Sequence, residues 1–315
     1  MNKHSMLKFT GEKLIRYLLC LAMVFLMCFT ADILGEKEII FPEIAALTVG
    51  AWLLPKSPWR VSRPRMIILM TLSAVMGIIV VRFISTLMPI KLLIGFVFAA
   101  ICLTLSDTTM YPIISACILP IMMNTKSIVY PLSVLAMTTI IALVNYVMEK
   151  AKINKKIDYS FQKPDIKSST ILWTKRTVIF ASALLLAVIT GEYLLLAPPL
   201  IVTFVEFSPY TGSKKPLATL ICVSASAIVG FGARCLMDFC SFPLWLCACL
   251  AITALFIIFT ATGKTFPPAG AIALLPLIIA SDKIFLYPIE IIIGCSLLIG
   301  LDMLFFYDGE QININ

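Results

Sequence analysis

A single histidine, His4, and no Cys-x-x-Cys pair leave this 315-residue sequence without the usual ligands of a structural zinc or a haem. No metal site and no cofactor are therefore expected. Nine of the ten cysteines fall inside apolar runs and Cys240 sits near the end of one, so they are read as small buried hydrophobes. Charge is scarce as well. Asp, Glu, Lys and Arg make up 13 per cent of the chain, about half of what a soluble domain carries. That scarcity excludes a water-soluble globule. It also leaves no clustered carboxylates or other catalytic set, so the chain is not expected to be an enzyme. The net charge of +8 does not point to nucleic acid. The basic residues sit in short loops between apolar runs, with no aromatic and basic interleaving on a polar face.

What is present is apolar. Sixty per cent of the residues are hydrophobic and the mean hydropathy is +1.01. The lipid bilayer takes the place of a polar shell for such a chain. Lys3, Lys8, Lys13 and Arg16 precede the apolar run 17–33 as in a signal peptide, but no small-x-small cleavage site follows. A retained first transmembrane helix is expected instead. Apolar segments follow at 14–34, 39–54, 66–88, 90–106, 112–123 and 128–148. After a polar, basic stretch they resume at 177–196, 198–210, 216–238, 243–262, 267–280 and 284–307. Four in each half are long enough to cross a bilayer and two are short. The run 112–123 makes only about 18 Å of helix against a hydrocarbon core of about 30 Å. The fold class expected is an all-α, polytopic integral membrane protein.

The two halves match each other. Gly35-Glu36 and Pro42 recur as Gly191-Glu192 and Pro198, and Pro112 and Pro120 as Pro268 and Pro276, each 156 residues on. Arg63-Pro64 and Arg82 recur as Lys215-Pro216 and Arg234 at a spacing of 152. Prolines, arginines and hydropathy recurring in one order indicate a tandem duplication. The expected divisions are a first membrane repeat at 1–148, a basic cytoplasmic linker at 149–176 and a second repeat at 177–315. If all six segments of each half cross, 19 Lys/Arg fall on one side and four on the other. The positive-inside rule then predicts parallel repeats, with both termini in the cytoplasm of a cell (inner) membrane.

The chemistry is expected where the segments break. The second half reads Thr260-Ala261-Thr262-Gly263-Lys264-Thr265-Phe266-Pro267-Pro268-Ala269-Gly270-Ala271, and the first Leu105-Ser106-Asp107-Thr108-Thr109-Met110-Tyr111-Pro112. Both place hydroxyls and a break before a proline that opens a short apolar helix, leaving N–H groups free at its start. A helix start at membrane depth makes an anion site, and transporters put substrate at repeated breaks. The plainer alternative is a loop at the interface. Candidate substrate-binding residues are Thr265, Pro267, Pro268, Ala269, Gly270, Thr108, Thr109 and Pro112. Arg82 and Arg234 join them, either facing an anion path or snorkelling to the outer interface. Glu206 lies in an apolar run and is the candidate coupling carboxylate, whereas Glu43 simply complements a helix start. Gly77, Gly230, Gly294 and Gly300 are assigned to close helix packing.

Residues 176–307 resemble the HPP family of small integral membrane proteins, named for a His-Pro-Pro motif that continues Ala-Gly-Ala. Pro267-Pro268-Ala269-Gly270-Ala271 matches that motif, and the run 207–216 is similar to the family's Pro-rich loop. The resemblance implies a helical membrane domain, and through some plant and cyanobacterial members it implies nitrite as a candidate solute. The family histidine is Phe266 here and Met110 in the first half, so a mechanism resting on a titrating histidine has no support. A transporter or channel-like protein for a small solute, anionic in this reading, is the expected function. A non-transporting scaffold is the alternative, a membrane-embedded enzyme comes last, and assembly into a homo-oligomer stays open.

Overall fold

In the computed structural model the chain is all-helical, with no strand among the described residues. Those residues are 3–54, 56–154, 159–163, 165–207, 216–280 and 283–306, without the side chains of 3–10. Residues 208–215 of the Pro-rich loop, the centre of the linker at 155–158 and the extreme termini lie outside them.

The first half runs α1 (Lys3–Leu34), α2 (Glu43–Thr48), α3 (Arg63–Phe83), α4 (Met88–Ser106), α5 (Pro112–Met122) and α6 (Val129–Lys150). The second runs α7 (Ile166–Thr190), α8 (Pro198–Phe207), α9 (Pro216–Cys240), α10 (Leu244–Thr262), α11 (Pro268–Leu274) and α12 (Tyr287–Phe305). A π-helical turn, Val49–Leu53, extends α2, and a 3₁₀ turn, Leu275–Leu277, extends α11. Eight helices among the described residues are long and apolar enough to cross a bilayer, all but α2, α5, α8 and α11. The eight turn large apolar side chains outward, among them Ile68, Ile101, Leu143, Leu185 and Ile257, each more than half exposed. Only lipid makes such a surface stable over so much of the molecule. The protein is a multi-pass membrane protein.

Helix starts follow local chemistry. Pro112, Pro198, Pro216 and Pro268 each open a helix, where the missing N–H has no intrahelical acceptor to lose. α7 begins ten residues before the expected end of the basic linker. The Asp165 carboxylate accepts from the Lys167 and Ser168 backbone N–H groups and the Ser168 hydroxyl, capping the helix there. Lys167, Lys175 and Arg176 are therefore helical. At the far ends, α4 closes on Asp107 (φ 49°) and α10 on Gly263 (φ 63°), both left-handed. Glycine adopts that conformation freely. Asp107 is held in it by Arg60, which pairs with its carboxylate, and by the Gln162 N–H at 2.9 Å.

The halves exchange contacts in matching pairs. α1 packs on α10, with Tyr17 against Phe256 and Phe25 against Trp245. α7 packs on α4 in the corresponding way, through Phe180 stacked on Phe96 at 4.5 Å. α4 and α10 end on one side of the bundle: α10 ends beside Tyr17, next to Arg16 of α1, and α4 ends beside Arg65 near the start of α3. Arg16, Arg60, Arg63, Arg65 and Lys150 gather at that basic end. Arg63 pairs with Glu149 there, and a pocket of about 380 Å³ opens between Ser62, Tyr146 and Tyr159.

Close approach of the short helices is set by missing side chains. A Cβ on Gly77 would lie 2.4 Å from the Cys117 carbonyl oxygen of α5, and one on Gly230 2.6 Å from that of Ala273 in α11. Gly294 meets the Leu195 carbonyl in the same manner, whereas nothing lies within 4 Å of a Cβ on Gly300. Proline supplies a second repeated device. Pro120 has no N–H to offer the Ala116 carbonyl one turn back, and Pro276 has none for Ile272. The buried hydroxyls of Tyr130 and Tyr287 donate to those two carbonyls at 3.0 and 2.6 Å. In a water-free interior such a replacement is required, because an unmet backbone group costs several kcal/mol.

Candidate functional site

The four short helices all begin well inside the bundle. Before α2 the chain turns back from the end of α1 through a 3₁₀ turn, Lys37–Ile39, and an extended stretch at Ile40. This brings the Phe41 N–H against the Met27 sulfur at 3.3 Å, about 10 Å short of the α1 terminus at 1.5 Å per residue. α8 follows a matching turn, Tyr193–Leu196. α5 enters from the basic end, and its Cys117 is level with Gly77 of α3. Pro112, five residues earlier, then lies about half-way along α3. Ala273 and Gly230 fix α11 against α9 in the same relation.

Each short helix packs on one from the other half. α11 lies on α2, where a Cβ on Gly270 would approach the Ala45 methyl to 2.9 Å, and α5 lies on α8. Their starts enclose one cleft, lined by Glu43, Pro112, Pro199, Glu206, Pro268 and Trp59 among others. Its free volume is about 10 Å³, room for one water at most. Glu43 is 2 per cent exposed. Its Oε1 accepts from the Ser115 hydroxyl of α5, and its Oε2 is buried without a hydrogen-bond partner. Glu206 is half-buried at the far end of α8 and accepts from the Trp59 indole N–H at 2.9 Å.

Arginines close the carboxyl ends of the same four helices. Arg16 donates to the Trp52 carbonyl at the end of the α2 π-turn. Arg176 donates to Val205 of α8 at 3.0 Å and stacks between Trp173 and Tyr111. Arg82 donates to Lys126 beyond α5 at 2.6 Å, and Arg234 to Pro276 and Ile279 beyond α11 at 2.7 and 2.8 Å. A cation suits the negative end of a helix, and these donors meet carbonyls that have no helical partner.

The sequence-expected residues thus divide. Pro112, Pro268 and Glu206 come together at the cleft, with Ala269 and Gly270 buried one turn into α11. Thr265 and Pro267 lie on the approach to α11. The Thr109 hydroxyl accepts from the Arg60 N–H at 2.8 Å, and that of Thr108 contacts Ser106, so both fasten the α4–α5 turn outside the cleft. Arg82 and Arg234 sit at the end away from the basic cluster, Arg82 exposed and Arg234 buried beside Asp238. Glu43, Ser115, Trp59 and Arg176 carry roles that the sequence alone did not assign. Pro42-Glu43 was the available signal, an acid at a repeated proline break. Among the described residues no three His, Cys, Asp or Glu side chains come together to hold a metal. Comparison with protein-family models, curated proteins and solved structures gives no match for this chain.

Proposed function

We propose that this membrane protein is a transporter for a small solute, which passes between the two halves at the cleft where the short helices begin. One observation carries this reading. Four helix starts from both halves meet at mid-depth around a closed space with two glutamates. Buried acids are costly in a membrane and mark solute or ion paths, and broken helices in repeated positions are where such paths bind their cargo. The N–H groups expected to be free at the starts of α5 and α8 are taken by the preceding turn, Ile113 by Met110, Ile114 by Tyr111 and Leu200 by Ala197. What favours an anion there is the positive end of each helix alone. Glu43 and Glu206 share that space, so an anion occupies it only when a co-transported cation neutralises an acid. The space of about 10 Å³ fits a closed state, which opens to admit solute. With Arg16, Arg60, Arg63 and Arg65 at one end, the positive-inside rule puts that end in the cytoplasm of a cell membrane.

The test is uptake by proteoliposomes of nitrite, nitrate, formate and chloride, with nitrite first because of the HPP resemblance. Selective uptake that falls at least tenfold when bulk is placed in the cleft, as in Ala271→Leu, supports the reading. Folded protein that moves none of the four overturns the anion assignment.

A further inference from the structure

Glu43 is held in a way that ionisation does not suit. It opens α2 at mid-depth, and one oxygen receives the Ser115 hydroxyl while the other, buried, receives nothing. The adjoining space admits a single water at most. A carboxylate in so dry a setting, with one side-chain donor, bears a large desolvation cost, whereas the neutral acid bears little. No basic side chain lines the space, so the positive ends of the short helices are the only offset to a negative charge there. Glu206 from α8 is another acid. Tyr130 from α6 and Tyr287 from α12 have committed their hydroxyls to carbonyls. Cys20 from α1 and Cys117 from α5 are buried thiols, and α11 brings no titratable residue.

We propose that Glu43 is a proton-binding site, and that the closed cleft is the arrangement of its protonated form. The step is a simple protonation: the carboxylate takes one proton from water and becomes a carboxylic acid, with no other bond made or broken. Loss of that proton leaves a charge that only water can solvate. Water then enters between α2 and α5 and loosens the contacts among the short helices. On the transporter reading, on which its physiological meaning rests, the proton is the cation that accompanies an anion. This moves the coupling role from Glu206, which already holds the Trp59 N–H and is only half-buried, to Glu43.

Infrared spectroscopy of the full-length protein in lipid nanodiscs, stepped in pH without any solute, tests the assignment. The wild type is expected to show a protonated-carboxyl band at neutral pH that converts to carboxylate as pH rises. One component of it disappears in Glu43→Gln, shifts in Ser115→Ala through the lost hydrogen bond, and persists in Glu206→Gln. An unchanged band in both Glu43→Gln and Ser115→Ala overturns the proposal. If Glu43→Gln does not fold, Ser115→Ala decides alone: a shifted component supports the site and an unshifted one overturns it. No solute is present, so a negative result here leaves the uptake assay standing, and a negative uptake result leaves this titration standing.

Discussion

The indole N–H of Trp59 donates to the Glu206 carboxylate at 2.9 Å, tying the α2–α3 loop of the first half to the last turn of α8 in the second. Trp59 is 5 per cent exposed, and its ring also fills the space beside Gly50, where a Cβ would come within 2.4 Å of it. One side chain therefore fastens both short helices that enter from the end away from the basic cluster.

Trp59→Phe keeps most of the ring packing and removes the donor. It is expected to destabilise the protein by about 1–3 kcal/mol, the range for a buried polar group that loses its hydrogen-bond partner. Glu206→Gln keeps an acceptor and is expected to lose less. Thermal unfolding in detergent compares the two. Equal unfolding temperatures for Trp59→Phe and wild type would mean that the tie contributes nothing to stability.

Much of this architecture is readable from the sequence, because lipid makes hydropathy a direct report of spanning. The eight long segments and the four short ones appear in the structure close to their expected places. The proline breaks were equally plain, since Pro112 and Pro268 have a local effect on any helix. Depth was not. That Phe41 lies beside Met27, or Cys117 beside Gly77, depends on packing between distant elements. Arg176 was hidden for a different reason. The polar composition around it resembles a linker, and only the capping by Asp165 turns that stretch into the first turns of α7.

The glycines separate sharply. Ala at Gly77, Gly230 or Gly294 would push its Cβ to within 2.1–2.6 Å of a backbone carbonyl oxygen, which cannot swing aside as a side chain does. Each is expected to cost about 1–3 kcal/mol through overpacking. Ala at Gly300 or Gly232 meets nothing within 4 Å and is expected to be neutral or slightly stabilising. A set of five unfolding temperatures checks this, and a loss at Gly300 matching that at Gly294 would contradict the packing assignment.

Arg234 and Arg82 are equivalent by sequence but differ in burial, and that difference predicts their behaviour. Arg234 is 3 per cent exposed, meets two carbonyls and pairs with Asp238, so Arg234→Gln strands several groups at once. A loss of about 3–5 kcal/mol is expected, as for other broken buried pairs. Arg82 is exposed with one such bond, and Arg82→Gln is expected to cost less than about 1 kcal/mol. Uptake measured on the stable Arg82→Gln protein then separates a cap from a path. Unchanged flux marks a cap, and a tenfold fall marks a residue on the anion's route.

Tyr130 and Tyr287 each replace a backbone donor that proline removes one turn ahead of their acceptor, and this linkage permits a stringent test. Tyr130→Phe leaves the Ala116 carbonyl unmet inside α5, at an expected cost of about 1–3 kcal/mol. In a Pro120→Ala background the backbone N–H at position 120 can take that carbonyl, so the same Tyr130→Phe change should cost markedly less. Pro276→Ala with Tyr287→Phe is the matching cycle in the second half. Coupling of about 1 kcal/mol or more in both cycles is expected, since the partners share one acceptor. Strict additivity in either half would show that the hydroxyl does not stand in for the proline's missing N–H there. Coupling in one half alone would mean that the two tyrosines do different work.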